Sequence, residues 1–258
     1  MKPLPLSAGV RRADPQYHSA SGSGRKGTIS LDKRTVVCFG DSVTQGVPHV
    51  PPGDTFPAVL ERRLNQHLNI RAAPVVVVNA GAGGENTAEG LARFDTDVAA
   101  HNPCLVIVEF GLNDLRPEPG KLIERDDFAA NLHRIYGRCR ELGADVVFTT
   151  PNPVIDRLHG SWGTGAYDQY GGCNGAVSAY AEVVRTAAYN SSATLCDIYA
   201  AFVEIAIEKQ FRGECYNYGD LTCLADYISR NDGVHPTIAG QEVIAQELYK
   251  VILLYELL

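Results

Sequence analysis

Apolar runs in this 258-residue chain are short, and none approaches the roughly 20 residues that a membrane-spanning helix requires. A basic stripe is also missing. With a formal net charge of −7, nothing offsets phosphate charge, and nucleic acid is excluded as a partner. None of the seven cysteines stands in a Cys-x-x-Cys pair, which removes the usual zinc and thioredoxin spacings. Met1 to Gly27 has no apolar h-region, so the cytoplasm is the expected location, although a chain whose leader had been removed for secretion would read the same way. Neither an internal repeat nor a second core is visible.

What is present is an ordinary globular composition, 45% hydrophobic and 21% charged, at a length that suits one α/β domain. Residues 1–33, rich in Gly, Ser, Pro and Arg and without periodicity, read as a poorly structured or surface-draped tail, and 34–258 as a single domain. The tail contains Gly22-Ser23-Gly24-Arg25-Lys26-Gly27, a formal G-x-G-x-x-G with no strand before it and no helix after it, and so an accidental match. Beyond it, apolar runs rich in β-branched residues near 35–39, 75–78, 105–108 and 145–149, with a short fifth at Thr194-Leu195-Cys196, predict five strands. Helical patterns fill the intervals, at 54–68 (capped by Asp54), 87–100, 126–142, 176–189 and 199–210. A last helix opens at Pro236. The alternation predicts a parallel sheet with helices on both faces and the ends of the first three strands along one edge.

Chemistry-bearing residues collect at those ends. Ser42 follows the first strand in Gly40-Asp41-Ser42, Gly81 follows the second in Asn79-Ala80-Gly81-Ala82-Gly83-Gly84, and Asn113 follows the third in Gly111-Leu112-Asn113-Asp114. In an open parallel sheet this is where ligands bind. Far downstream, Asp232-Gly233-Val234-His235-Pro236 places a carboxylate three residues before an imidazole, with Pro236 read as the first helical residue. A hydroxyl, a base to take its proton and a carboxylate to fix the base's tautomer form a nucleophilic triad. Acyl transfer also needs donors for the developing oxyanion. The Ser42 N–H, the Gly81 N–H and the Asn113 side-chain amide are the candidates. Each motif alone has a bland reading as a turn or a cap; their order along one sheet edge is what makes them informative.

These four blocks resemble the signature blocks of the SGNH hydrolases, the GDSL esterase/lipase superfamily. The resemblance covers residues 40 to 235, with Val43 in place of the leucine of the family's short name. It implies a flavodoxin-like three-layer α/β/α sandwich on a five-stranded parallel sheet, with Ser42 as nucleophile, His235 as general base and acid, Asp232 as orienting acid, and Ser42, Gly81 and Asn113 as the oxyanion hole. No G-x-S-x-G occurs, so the nucleophile elbow of the α/β-hydrolase fold is absent. No cofactor or metal is implied, and a chelator should leave the rate unchanged.

Two glycine-rich loops, 157–174 and 212–230, carry Trp162, Tyr167, Tyr170 and Tyr218, and with Asp41 these are the candidate substrate contacts. Aromatics among glycines suit stacking on a sugar ring, and no long amphipathic lid is present. The expected substrate is therefore a short-chain ester such as acetyl on a carbohydrate, hydrolysed through an acyl-enzyme. A thioesterase, a lysophospholipase or an acyltransferase of the same fold is the alternative, and an inert carbohydrate-binding protein the non-enzymatic one. Cys38, Cys104 and Cys196 read as core residues, and pairing among Cys173, Cys215 and Cys223 stays open. Asn190-Ser191-Ser192 is a glycosylation sequon, relevant only in a secretory eukaryotic setting.

Overall fold

The five predicted runs become five strands, β1 Arg34–Gly40, β2 Val75–Gly81, β3 Leu105–Glu109, β4 Asp145–Thr149 and β5 Thr194–Cys196. The computed structural model describes residues 34–67, 74–161, 163–214 and 221–258. In it the strands form one sheet ordered β2-β1-β3-β4-β5, with every neighbouring pair parallel. The expected tail, with its G-x-G-x-x-G, lies outside the described residues.

Seven α-helices accompany the sheet among the described residues: α1 Ser42–Gln45, α2 Phe56–His67, α3 Thr87–Asp97, α4 Arg125–Glu141, α5 Cys173–Ser191, α6 Ile198–Phe211 and α7 Ile238–Leu254. Helices α3, α4 and α5 pack in succession on one another, as do α2, α7 and α6, giving two helical layers with the sheet between them. This is the three-layer α/β/α sandwich expected. Strands covered on both faces need apolar residues at every position, and Val36, Val37, Cys38 and Phe39 of β1 are all fully buried. Among the described residues no helix is long and apolar enough to cross a membrane.

Two helix starts differ from expectation, both for tertiary reasons. Asp54 does not cap α2; it closes a short 3₁₀ turn, Pro52–Asp54, and the Phe56 N–H is instead satisfied by the buried Gln241 Oε1 of α7 at 2.7 Å. Pro236 is not the first residue of the last helix. It forms an antiparallel bridge with Ile228, and α7 begins at Ile238 under a Thr237 cap whose hydroxyl accepts from the Gly240 N–H.

The sheet order reverses direction between β1 and β3, and in such folds the crevice lies at the strand ends around that switch point. Arg93 of α3 closes the same edge by donating to the Gly40 and Ala80 carbonyls, both at 2.8 Å. Backbone acceptors at the ends of β1 and β2 are thereby satisfied without extending the sheet.

Candidate active site

Asp41 follows β1 and caps the one-turn helix α1, its Oδ1 accepting from the Val43 N–H at 2.9 Å. Ser42 is the first residue of that helix, so its N–H belongs to the turn that has no intrahelical acceptor. Its Oγ lies 2.9 Å from His235 Nε2, although 193 residues separate the two. Gln241 links the two ends of the chain behind this contact. Its Nε2 donates to the Val43 carbonyl at 3.1 Å while its Oε1 accepts from Phe56, joining the helix after His235 to the one that carries Ser42.

His235 is held by its own loop. Asp232 Oδ1 accepts the backbone N–H groups of Val234 and His235 at 2.8 and 3.0 Å, and its Oδ2 meets His235 Nδ1 at 2.9 Å. Gly233 makes the turn possible. It sits at φ +68°, where a Cβ would press on the Ile155 carbonyl at 2.6 Å. The loop is stitched to its surroundings by Ile155 N–H to Gly233 O, Gly233 N–H to Ser229 O and Ser229 N–H to His235 O, each 2.8 Å. Burial pulls the Asp232 carboxyl upward, but the two N–H donors and the imidazole outweigh it and hold the group below its ordinary value. It therefore stays ionised against the imidazole. The ring of His49 stacks on His235 at 3.6 Å between centroids and 12° between planes. His49, Asp232 and His235 bring ligand-capable atoms within 4.8 Å of one another, yet parallel rings aim their lone pairs in parallel planes that do not converge on one ion.

Asn113 follows β3 and is buried at the lip of the site. Its Nδ2 donates to Asp41 Oδ2 at 3.0 Å and its Oδ1 accepts from Arg116 Nη1 at 3.4 Å. The two contacts fix which way the amide faces and leave the second Nδ2–H unused by them. Beneath lies a cluster of buried carboxyls. Glu109 accepts from Thr44 Oγ1 at 2.9 Å, and Asp114 accepts from the Thr87 N–H at 3.0 Å. Burial raises all three acids. Asp41 goes far up, driven further by the neighbouring Glu109 charge; Glu109 rises to about 7 and Asp114 to about 6.

Two expected roles need correction. Asp41 is fully buried and cannot touch a substrate; it caps α1 and aims Asn113. The Gly81 N–H does not face the site freely, because it donates to Asn79 Oδ1 at 3.0 Å. A Cβ at Gly81 would lie 2.1 Å from the Gln45 backbone nitrogen, so this glycine lets α1 lie flat against β2.

A cavity of about 220 Å³ opens beside Ser42 and His235. Leu112, Leu115, Val154, Tyr167, Cys173 and Val177 form its apolar part, and Arg116, Glu118, His159 and Ser161 its polar part. Tyr167 thus lines the cavity. Tyr170 is half-buried, packs against the core and does not line the cavity. Trp162, Tyr218 and Cys215 lie outside the described residues. Cys173 carries a free thiol, buried and hydrogen-bonded to Tyr167. Sequence reasoning missed His49, Arg116, His159 and Glu109. Only Glu109 carried a local signal, as a charged residue ending an otherwise apolar strand.

Residues 38–243 match the GDSL-like lipase/acylhydrolase family. An arylesterase of Vibrio mimicus is 33% identical over 113 residues, 43% of this chain and 52% of that protein, so the chain spans about half the length of that relative. Among solved structures, the acetyl xylan esterase AlAXEase superposes with a TM-score of 0.63 at 21% identity, covering 84% of this chain and 99% of that one. Axe2, an acetylxylan esterase from Geobacillus stearothermophilus, superposes with 0.63 at 20% identity, covering 87% and 96%. At these identities the structural likeness concerns the fold.

Proposed function

This chain belongs to the GDSL-like lipase/acylhydrolase family, and we propose that it is a serine esterase that hydrolyses short-chain carboxylic esters through an acyl-enzyme, with Ser42, His235 and Asp232 as its triad. The observation that carries this reading is the unbroken hydrogen-bonded line from Ser42 Oγ to His235 to Asp232, 2.9 Å at each step, at the mouth of a cavity. His235 Nε2 takes the Ser42 proton as Oγ attacks the ester carbonyl, and Asp232 holds the proton on Nδ1 and stabilises the imidazolium. The tetrahedral oxyanion accepts from the Ser42 N–H and the second Nδ2–H of Asn113. Gly81 joins them only by exchanging its bond to Asn79 for one to the substrate oxygen. His235 then gives its proton to the departing alcohol, and water repeats the sequence in reverse to free the acid.

Cavity size supports a small acyl group. About 220 Å³ is below the roughly 300–1,000 Å³ of sites for drug-sized ligands. Its apolar lining takes the acyl methyl or short chain, while Arg116, Glu118, His159 and Ser161 face the polar part of the substrate. The acetylxylan esterases of the same fold act in keeping with an acetyl group on a carbohydrate. The test is turnover of p-nitrophenyl acetate by the wild type and by Ser42→Ala, with a chain-length series of p-nitrophenyl esters and acetylated sugars beside it. The substitution should lower kcat by roughly four orders of magnitude or more. Equal rates would return the protein to the carbohydrate-binding reading, and a preference for long acyl chains would overturn the acetyl assignment.

A further inference from the structure

We propose that His49 is a positioning residue for the general base, a plate laid on the open face of the His235 ring. The inference rests on the triad reading above and adds a fourth side chain to it. The His49 ring lies 3.6 Å from that of His235, centroid to centroid, at 12°. Its Nδ1 stands 3.9 Å from Asp232 Oδ2, the same oxygen that His235 Nδ1 engages. His49 therefore touches both members of the pair on which proton transfer depends.

The local chain explains how it comes to be there. Gly46, at φ +74°, ends α1, and Val50 is buried with its N–H on the Gly46 carbonyl, so the intervening residues arch outward with the His49 ring turned back over the triad. On its other side is a cleft of about 850 Å³, lined by Pro48, His49, Ser229, Arg230, Asn231 and Asp232 among others. Asp232 keeps 33% of its side chain exposed and His235 20%. Without the plate, that cleft would open water onto the face of the imidazole and onto the His235–Asp232 hydrogen bond. The charged and titratable groups around His49 are His235 and Asp232 beneath it and Arg230 and Asp226 across the cleft. Burial first, and then the neighbouring His235, lower the His49 pKa, with Asp232 opposing. A neutral ring can lie against the imidazolium that forms during catalysis without repelling it. A π face also attracts such a cation.

Two substitutions separate the ring's face from its nitrogen chemistry. His49→Ala removes the plate; His49→Phe keeps an aromatic face without the imidazole. On p-nitrophenyl acetate, kcat of His49→Ala should fall about three- to tenfold with KM held, and His49→Phe should stay close to the wild type. Wild-type turnover in His49→Ala, or equal loss in both variants, would overturn the proposal. A second readout needs no turnover. In a Ser42→Ala background, the downfield proton resonance of His235 Nδ1–H should broaden by exchange with water in His49→Ala and remain sharp in His49→Phe. A sharp resonance in His49→Ala would overturn the proposal equally. Should the wild type hydrolyse no ester, the triad reading falls, while the resonance comparison still decides whether His49 shields the pair.

Discussion

On the Ser42 side of the site, Asp41, Glu109 and Asp114 are sealed from water and their carboxyls are pushed up toward the neutral form; on the His235 side, Asp232 stands one-third exposed and is held ionised. The two regions use the same side-chain type for opposite ends. Below Ser42 and Asn113 the acids act as acceptors and caps, where dry surroundings make each hydrogen bond directional and let no water compete. Beside His235 the acid must carry its charge, so it sits where solvent and two backbone N–H groups can support it. Dry carboxyls give rigidity and cost stability; the wetter one gives charge.

This contrast is most directly broken by removing the charge while keeping the shape. Asp232→Asn should lower kcat by about 10⁴-fold, because an amide no longer selects the Nδ1–H tautomer of His235. Steady-state kinetics on p-nitrophenyl acetate check it, and a loss under tenfold would mean that Asp232 does not orient the base. The next effect belongs to the dry side. Asn113→Ala removes an oxyanion donor and should lower kcat by about 10²–10³-fold with KM little changed. Retained kcat would move the oxyanion hole elsewhere.

The buried acids sharpen the comparison through pH. Glu109 and Asp114 are raised in the folded chain, so between their ordinary values and about 7 and 6 the folded state holds more protons than the unfolded one. Their contribution to stability should therefore be fully present below about pH 4, fall as pH rises through that window, and level off above about 7. Asp114 alone, moved from 3.8 to about 6, corresponds to about 3 kcal/mol. Denaturant unfolding at a series of pH values measures the slope, and Glu109→Gln should flatten it. A slope of opposite sign would show that these carboxyls are ionised in the fold. The smallest effect concerns the His235 side's supporting helix. Thr237→Ala deletes the cap of α7 and should cost about 1 kcal/mol, or about 2–4 °C in Tm, leaving kcat in place.

Much of this was legible in the chain. Apolar runs rich in β-branched residues announced β1, β3 and β4 because a strand buried on both faces permits few other residues, while the edge strands β2 and β5 are only partly buried. The Asp-x-x-His spacing announced the Asp232–His235 pair because the Asp232 turn is local, closed by bonds spanning two and three residues. The start of α2 misread because its first N–H is satisfied by Gln241, 185 residues away, so no nearby cap was required. Pro236 misread because its neighbours recruit it into a bridge with Ile228 before the helix begins. Asp41 read as a candidate substrate contact. Only packing reveals that Glu109 and Asn113 enclose it.

By itself the sequence determined the parallel sheet, the corners that carry Ser42, Gly81 and Asn113, and the turn that aims His235, since each follows from periodicity or from contacts a few residues long. Tertiary structure decided which of those groups are free to act. It brought Ser42 and His235 together across 193 residues, tied the Gly81 amide to Asn79, buried Asp41, and laid His49 over the His235 ring. Those outcomes depend on which surfaces exclude water from which polar atoms, and exclusion of water is a property of the packed chain that no local stretch of residues encodes.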